Sequence, residues 1–185
     1  MSTSDNVREL EQLIDGQLPW DRVQEIIKNP KDSERFQKTL EIYQGRVSFK
    51  ERILLPLTPS LFIVDKSSEY IVMCKCGQEF GDYRINWKLH SHVSVRNTLK
   101  DLEKIYPGVQ LPDPEYCEIR EYYCPKCGTQ LEVESLTPGM PADFEFLPDL
   151  ETFYSKWLKT PLPKSVEFVD KTNEVIAEWV REIEG

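Results

Sequence analysis

The sequence has few of the features that nucleotide-binding loops and membrane spans require. It contains 8 glycines in 185 residues, and none lies in the glycine pattern of a P-loop or of a dinucleotide-binding fold. It also lacks a run of about 18 apolar residues, and its first twenty residues have no apolar core of signal-peptide length. These absences argue against a phosphate cradle, a transmembrane helix and a secretion signal. We therefore expect a soluble, cytoplasmic protein.

Positive charge is scarce. Lysine and arginine total 23 against 32 acidic residues, which gives a formal net charge of -9 and an isoelectric point near 4.9. Sequence-independent nucleic-acid binding relies on clustered lysine and arginine, so we expect no nucleic-acid partner. The acids do not follow the spacing of an EF-hand loop, and we interpret most of them as solvated surface.

Four of the five cysteines lie in two short clusters, Cys74-Lys75-Cys76-Gly77 and Cys124-Pro125-Lys126-Cys127-Gly128. In each cluster the final glycine allows a tight turn that directs backbone amides towards the sulfurs. The two-residue gap in the second cluster lets both of its sulfurs face one ion, whereas the one-residue gap in the first is tighter. We interpret the four residues as ligands of one structural zinc: Cys74, Cys76, Cys124 and Cys127. The fifth cysteine, Cys117, then stays free.

Two other kinds of chemistry would use these cysteines differently. A catalytic zinc keeps a position open for water and mixes in other ligands, which would require His90 or His92 to replace one thiol. A redox dithiol is disfavoured, because such a motif opens a helix while Cys127-Gly128 leads into a predicted strand. The two histidines are the only ones, and alternate positions in an extended segment would point them to the same side. A second metal or a proton relay there is the alternative to a structural role, and we assign no catalytic residue.

The pattern of apolar residues predicts an α+β fold in three segments. Residues 1–50 form a helical arm with three amphipathic stripes, which must pack on the zinc module or on another subunit. Residues 54–140 form a small zinc-ribbon-like β domain, and residues 141–185 an extended aromatic arm that ends in a helix from about Ser165. The stripes of the first arm are Val7, Leu10, Leu13 and Ile14; Trp20, Val23, Ile26 and Ile27; and Phe36, Leu40 and Tyr43.

Within the ribbon, a hairpin of Leu61–Val64 and Glu69–Met73 is predicted to deliver the first two cysteines. Residues 129–136 follow the second cluster as a strand, with Leu131 and Val133 facing inwards and the glutamates between them facing water. The insert of residues 77–123 is too long for a compact ribbon, and Val95, Leu99 and Leu102 mark a helix within it. The rings of the final arm are interleaved with prolines, so we expect that arm to lie on a partner: Phe144, Phe146, Phe153, Tyr154 and Trp157.

Four segments in this order resemble the small gamma subunit of acetone carboxylase, a kind of subunit that also occurs in acetophenone carboxylase. They extend the match from about Leu54 to Trp157, which is most of the chain. The segments are CKCG at Cys74–Gly77, FGDYRINWK at Phe80–Lys88, YYCPKCGTQLEV at Tyr122–Val133 and FLPDL at Phe146–Leu150. The residues from about Lys159 onwards extend beyond what we expect for the acetone enzyme.

The resemblance implies an assembly and a reaction. Such biotin-independent carboxylases use ATP to join a ketone to bicarbonate as a beta-keto acid. Their catalytic sites, with ATP and a divalent metal, belong to large hydantoinase- or oxoprolinase-like subunits. The small subunit carries structural zinc, on the positions Cys74, Cys76, Cys124 and Cys127, and the isolated chain is then inactive. The rival hypotheses are a stand-alone zinc-ribbon adaptor and a catalytic site, completed by the complex, that includes the zinc or His90 and His92.

Overall fold

The computed structural model of this chain describes residues 6–67 and 69–184, so residues 1–5, Ser68 and Gly185 of the predicted segments lie outside the described residues. Within the described residues two antiparallel sheets form, and the predicted mixed α+β class is confirmed. The first sheet has the order β1-β2-β3-β4: Arg52–Thr58 (β1), Leu61–Lys66 (β2), Glu69–Cys74 (β3) and Glu79–Asp82 (β4). The second has the order β5-β6-β7: His92–Arg96 (β5), Glu118–Tyr123 (β6) and Gln130–Leu136 (β7).

The helices flank these sheets. None of those within residues 6–67 and 69–184 combines the length and the apolar character that crossing a bilayer requires. Short single turns occur at Trp87–His90, which is a 3₁₀ turn, and at Phe153–Trp157, which is a π turn that continues α5. The α-helices are Val7–Ile14 (α1), Trp20–Lys28 (α2), Arg35–Arg46 (α3), Leu99–Ile105 (α4), Leu150–Thr152 (α5) and Thr172–Glu184 (α6).

Strand β2 is apolar on both faces, and each face packs in a different buried cluster. Leu61 and Ile63 belong to one buried cluster, whereas Phe62 and Val64 belong to another. Consecutive side chains of a strand point to opposite faces, so the continuous apolar run from Leu61 to Val64 indicates a strand enclosed on both sides. The predicted hairpin with β3 is present, and its register runs from Leu61 opposite Cys74 to Lys66 opposite Glu69.

The N-terminal helices cover one face of the first sheet. Tyr43 of α3 packs on Phe62 with ring centroids 5.2 Å apart, and Leu40 joins the same cluster. The sequence left open whether these helices pack on the zinc module or on another subunit, and in the structure α3 packs on this chain's own sheet. Helix α2 differs from its predicted stripe, because Ile26 is buried while Trp20 is 68% exposed.

The C-terminal segment covers the other face. Leu150 and Tyr154 are buried in the larger cluster, and the Tyr154 hydroxyl donates a 2.7 Å hydrogen bond to the Leu54 carbonyl of β1. Burial raises the pKa of Tyr154 to about 12, so its hydroxyl keeps its proton at neutral pH. Part of the predicted aromatic arm therefore lies on this chain itself. The division into segments 1–50, 54–140 and 141–185 stays a prediction.

Two predicted helices begin later than the apolar pattern indicated. Val95 lies in β5, where pairing with β6 supplies the backbone hydrogen bonds, and α4 begins only after the Thr98 cap. Helix α6 begins at Thr172 rather than near Ser165. Two hydrogen bonds hold Thr172 in place. Its N–H donates to the Asp170 carboxylate at 2.8 Å, and its hydroxyl accepts from the Asn86 N–H at 2.9 Å.

The Tyr154 hydrogen bond gives a test of the C-terminal packing. We expect Tyr154→Phe to lower the free energy of unfolding by about 1 kcal/mol, because the buried Leu54 carbonyl loses its donor. Tyr116→Phe is the matched control, since Tyr116 is 72% exposed. Urea denaturation of the metal-loaded protein measures both variants. Equal stability of Tyr154→Phe and wild type would mean that this hydrogen bond does not stabilise the docking of the segment on β1.

Candidate metal centre

The two cysteine clusters meet at one point between the sheets. Their four sulfur atoms all lie within 4.8 Å of one another. The Sγ atoms of Cys74 and Cys127 are 3.8 Å apart, and those of Cys76 and Cys124 are 3.6 Å apart. The structure thus brings together all four residues that the sequence predicted as ligands.

Each cluster has the same backbone design. Cys74 ends β3, and its N–H donates to the Gln78 carbonyl at 2.8 Å while its carbonyl accepts from the Gly77 N–H at 2.8 Å. Gly77 needs a φ of 81°, a left-handed conformation that other residues rarely adopt. In the second cluster the Cys124 N–H donates to the Thr129 carbonyl, and the Cys124 carbonyl accepts from the Gly128 N–H, both at 2.9 Å. Gly128 has a φ of 69°. The tight turns predicted at both glycines are present.

The distances between the sulfur atoms suit an ion with tetrahedral coordination. Zinc bound by four thiolates has metal–sulfur distances of about 2.3 Å, which corresponds to sulfur–sulfur edges of about 3.8 Å. A disulfide requires sulfurs about 2.05 Å apart, and all five cysteines are free thiols. The four cysteines can therefore hold a metal ion such as zinc.

Burial and hydrogen bonding affect the thiols of the cluster differently. Burial raises the pKa values of Cys74 and Cys76, since a thiolate loses hydration there. Cys127 lies at the exposed side, and hydrogen bonds from Thr129, whose hydroxyl oxygen is 3.2 Å from the sulfur, lower the pKa of Cys127 to about 6. A divalent ion would hold all four sulfurs in the thiolate form, because metal binding displaces the protons.

The remaining predicted candidates lie outside this cluster. Cys117 has its sulfur 3.3 Å from the Ser135 hydroxyl oxygen. His90 ends the 3₁₀ turn and its ring packs edge-on to Trp179 of α6 at 6.0 Å, whereas His92 begins β5. The prediction that both histidines share one extended segment is wrong. In the part of the chain that the structure describes, neither joins a group of clustered metal-ligating atoms.

A second charged cluster was missed by the sequence analysis. The Lys88 side chain is only 2% exposed, and its Nζ lies 2.8 Å from Glu132, in contact with the Glu134 carboxylate and 3.6 Å from Glu145. The Asp143 carbonyl accepts a further bond from Nζ at 3.0 Å, and Tyr122 donates a 2.5 Å bond to Glu134. Buried ammonium and carboxylate groups need such partners.

The prediction for β7 is wrong at this cluster. Glu134 is buried and Val133 is exposed, the reverse of the expected alternation. A register shift between Tyr122 and Tyr123 is the physical reason: the pairing passes from Glu132 to Gln130 and leaves Leu131 as an extra residue. A bulge of one residue turns the following side chains to the opposite face. No pattern within β7 reveals the bulge, because Lys88, the partner of the buried Glu134, lies more than forty positions away.

The sequence matches a known protein family over most of its length. Residues 47–158 match the family model described as acetone carboxylase gamma subunit. The chain belongs to this family. The matched range contains both sheets and both cysteine clusters, and it leaves out α1, α2, α3 and α6.

Two relatives agree with this assignment. The chain is 43% identical over 157 residues to the acetone carboxylase gamma subunit of Xanthobacter autotrophicus (strain ATCC BAA-1158 / Py2), which covers 84% of this chain and 94% of the relative. It is 29% identical over 105 residues to the acetophenone carboxylase beta subunit of Aromatoleum aromaticum (strain DSM 19018 / LMG 30748 / EbN1), covering 56% and 78% of the two chains. The resemblance found in the sequence is confirmed.

The Lys88 cluster predicts a pH dependence of stability. Burial, reinforced by Glu145, raises the pKa of Glu132 from 4.5 to about 7, although Lys88 acts in the opposite direction. The folded state therefore binds a proton that the unfolded state releases above pH 4.5, so this group makes stability fall as pH rises from about 5 to 7. Glu132→Gln should remove that contribution, on the order of 2 kcal/mol.

Denaturation of the metal-loaded wild type and Glu132→Gln between pH 5 and 8 measures this difference. Glu103→Gln, at an exposed position of α4, is the control. The assignment fails if the difference between wild type and Glu132→Gln does not change with pH.

Proposed function

We propose that this chain is the zinc-binding small subunit of a biotin-independent, ATP-dependent ketone carboxylase, with a structural role in assembly. The observation that carries the proposal is the convergence of four cysteine sulfurs in a chain of this family. Both relatives are named as carboxylase subunits, which supports a hetero-oligomer. The proposed reaction joins a ketone and bicarbonate, at the expense of ATP, to form a beta-keto acid.

The proposed zinc is held by Cys74, Cys76, Cys124 and Cys127. It would supply a rigid cross-link between β3 of the first sheet and the turn between β6 and β7 of the second, in the manner of a zinc ribbon. Thiols of this kind stay reduced in the cytoplasm, where we place the complex. We retain the division at residues 50 and 140 as part of the proposal, with the metal at the centre of segment 54–140.

The same donor set supports a role without catalysis in this chain. Four sulfurs satisfy the usual coordination of zinc, so no position remains for a water or a ketone oxygen. The sequence also has no glycine-rich phosphate cradle. We therefore place ATP, a divalent metal and the reacting groups in large hydantoinase- or oxoprolinase-like subunits.

Removal of one ligand tests the metal assignment. We expect Cys127→Ser to lose stoichiometric zinc and to unfold at a lower temperature, because structural zinc contributes on the order of 10 kcal/mol in isolated zinc-finger peptides. Cys117→Ser is the matched control and should keep both properties. Elemental analysis and thermal unfolding measure them. Equal zinc content in the two variants would contradict the ligand set.

Reconstitution tests the proposed reaction. We expect the chain alone to show no turnover and to form a stable complex with large carboxylase subunits from the same source. That complex should consume ATP in the presence of bicarbonate and acetone or acetophenone, and the preferred ketone identifies the substrate. Turnover by the isolated chain, or failure to associate with any large subunit, would overturn the proposal and favour a stand-alone zinc-ribbon adaptor.

A further inference from the structure

An apolar groove runs along the outer side of the C-terminal segment. It encloses a cavity of about 400 Å³ and is walled by carbon-rich side chains. Phe146 is 60% exposed and Trp157 is 76% exposed, so two of its rings face solvent. Contiguous exposed apolar surface of this kind is typical of protein interaction sites. The principal walls are Leu55, Phe146, Leu147, Leu150, Phe153 and Trp157.

The groove is held in place by the same segment that forms it. Leu150 and Tyr154 point into the core, while Phe153 packs edge-on against Phe36 of α3 at 5.1 Å and lies 6.2 Å from Trp157. The Asp149 carboxylate accepts a 2.9 Å bond from the Thr152 N–H and fixes the turn. A binding surface with a fixed backbone loses little conformational entropy on association.

A second cavity of about 400 Å³ adjoins the groove at Phe146, and most of its charged lining residues are acidic. Its walls include Lys88, Glu132 and Glu145, and Phe146 lines both cavities. One ammonium group lies among three carboxyl groups there, counting the buried Glu134. The side chain of Glu145 is 52% exposed, so the excess negative charge reaches the surface beside the groove.

The wider charge pattern has the same sign. From Gly128 to Ser155 the chain contains no lysine, arginine or histidine, and its acids are Glu132, Glu134, Asp143, Glu145, Asp149 and Glu151. Lys156 is the first basic residue after this stretch. A partner that covers this surface gains from positive charge beside its apolar contacts.

We propose that the apolar groove and the acidic cavity together form the docking surface for a segment of a large carboxylase subunit that presents apolar side chains next to a lysine or arginine. The inference rests on the proposed function, because it takes the partner from the carboxylase complex. The apolar side chains occupy the groove between Phe146 and Trp157, and the cation approaches Glu145. Exposed aromatic anchors of this type contribute much of the binding energy in protein interfaces.

A second copy of this chain suits the surface less well. A twofold interface places the same patch of both subunits face to face. The net negative charge of the patch would then lie on both sides of the interface, and like charges brought together oppose association. The charge pattern therefore favours a basic partner of a different kind.

Binding of zinc-loaded variants to the large subunits tests the surface. We expect Phe146→Ser and Trp157→Ser to weaken association about thirtyfold or more, the effect of losing an interface anchor. Glu145→Lys should weaken it about tenfold at low salt, and this loss should shrink at high salt because screening reduces charge repulsion. Glu145→Gln should have a smaller effect. Calorimetry at two salt concentrations measures each value.

Matched controls separate the surface from general effects. Trp20→Ser removes a ring that is 68% exposed on α2, and Glu103→Lys reverses an exposed charge on α4. Both should bind like wild type. Zinc content and thermal unfolding equal to those of wild type show that each variant is folded.

The outcomes distinguish the two proposals. If the wild-type chain does not bind large subunits, the proposed function itself fails. If wild type binds and the Phe146, Trp157 and Glu145 variants bind equally well, the docking surface is wrong while the proposed function stands. If the wild-type chain instead forms a homodimer that Trp157→Ser abolishes, the surface pairs two copies of this chain and the assignment to a large subunit is overturned.

Discussion

The structure depends on the approach of two sulfur pairs that lie far apart in sequence. Cys76 and Cys124 are separated by 48 positions, yet their sulfurs are 3.6 Å apart. Cys74 belongs to the first sheet, and Cys124 lies between β6 and β7 of the second, so the cluster fixes how the sheets meet. Burial disfavours the charged thiolate form of Cys74 and Cys76 when no cation is bound. In the proposed zinc-bound state one ion replaces their protons and ties both sheets together.

Aromatic and ionic contacts support the same junction. Trp87 packs edge-on against Phe80 of β4 at 5.9 Å and against Tyr122 of β6 at 6.1 Å, so a single ring joins the two sheets. Lys88, the next residue, lies over the Tyr122 ring at 5.2 Å and is surrounded by carboxylates. The residues between the cysteine clusters therefore do more than connect them. They supply the packing that aligns the sulfurs.

The sequence revealed those parts of the fold that local chemistry determines. The hairpin before Cys74, the glycine turns and the convergence of four cysteines follow from short-range patterns, and the structure agrees with each. The long-range features were not predictable. The bulge near Tyr123 reverses the faces of β7, and the destination of the aromatic arm depends on Leu54, which lies 100 positions before Tyr154. Such contacts are determined by how separate segments pack, which periodicity within one segment does not report.

The packing of β2 on both faces has a consequence for folding during translation. Phe62 and Val64 meet α3, which leaves the ribosome before them, whereas Leu61 and Ile63 meet Leu150 and Tyr154, which leave long afterwards. A growing chain therefore leaves part of one apolar sheet face uncovered until Leu150 and Tyr154 are translated, nearly ninety residues after Ile63. Exposed strands of this kind invite aggregation. We therefore expect chaperones to protect that face during translation.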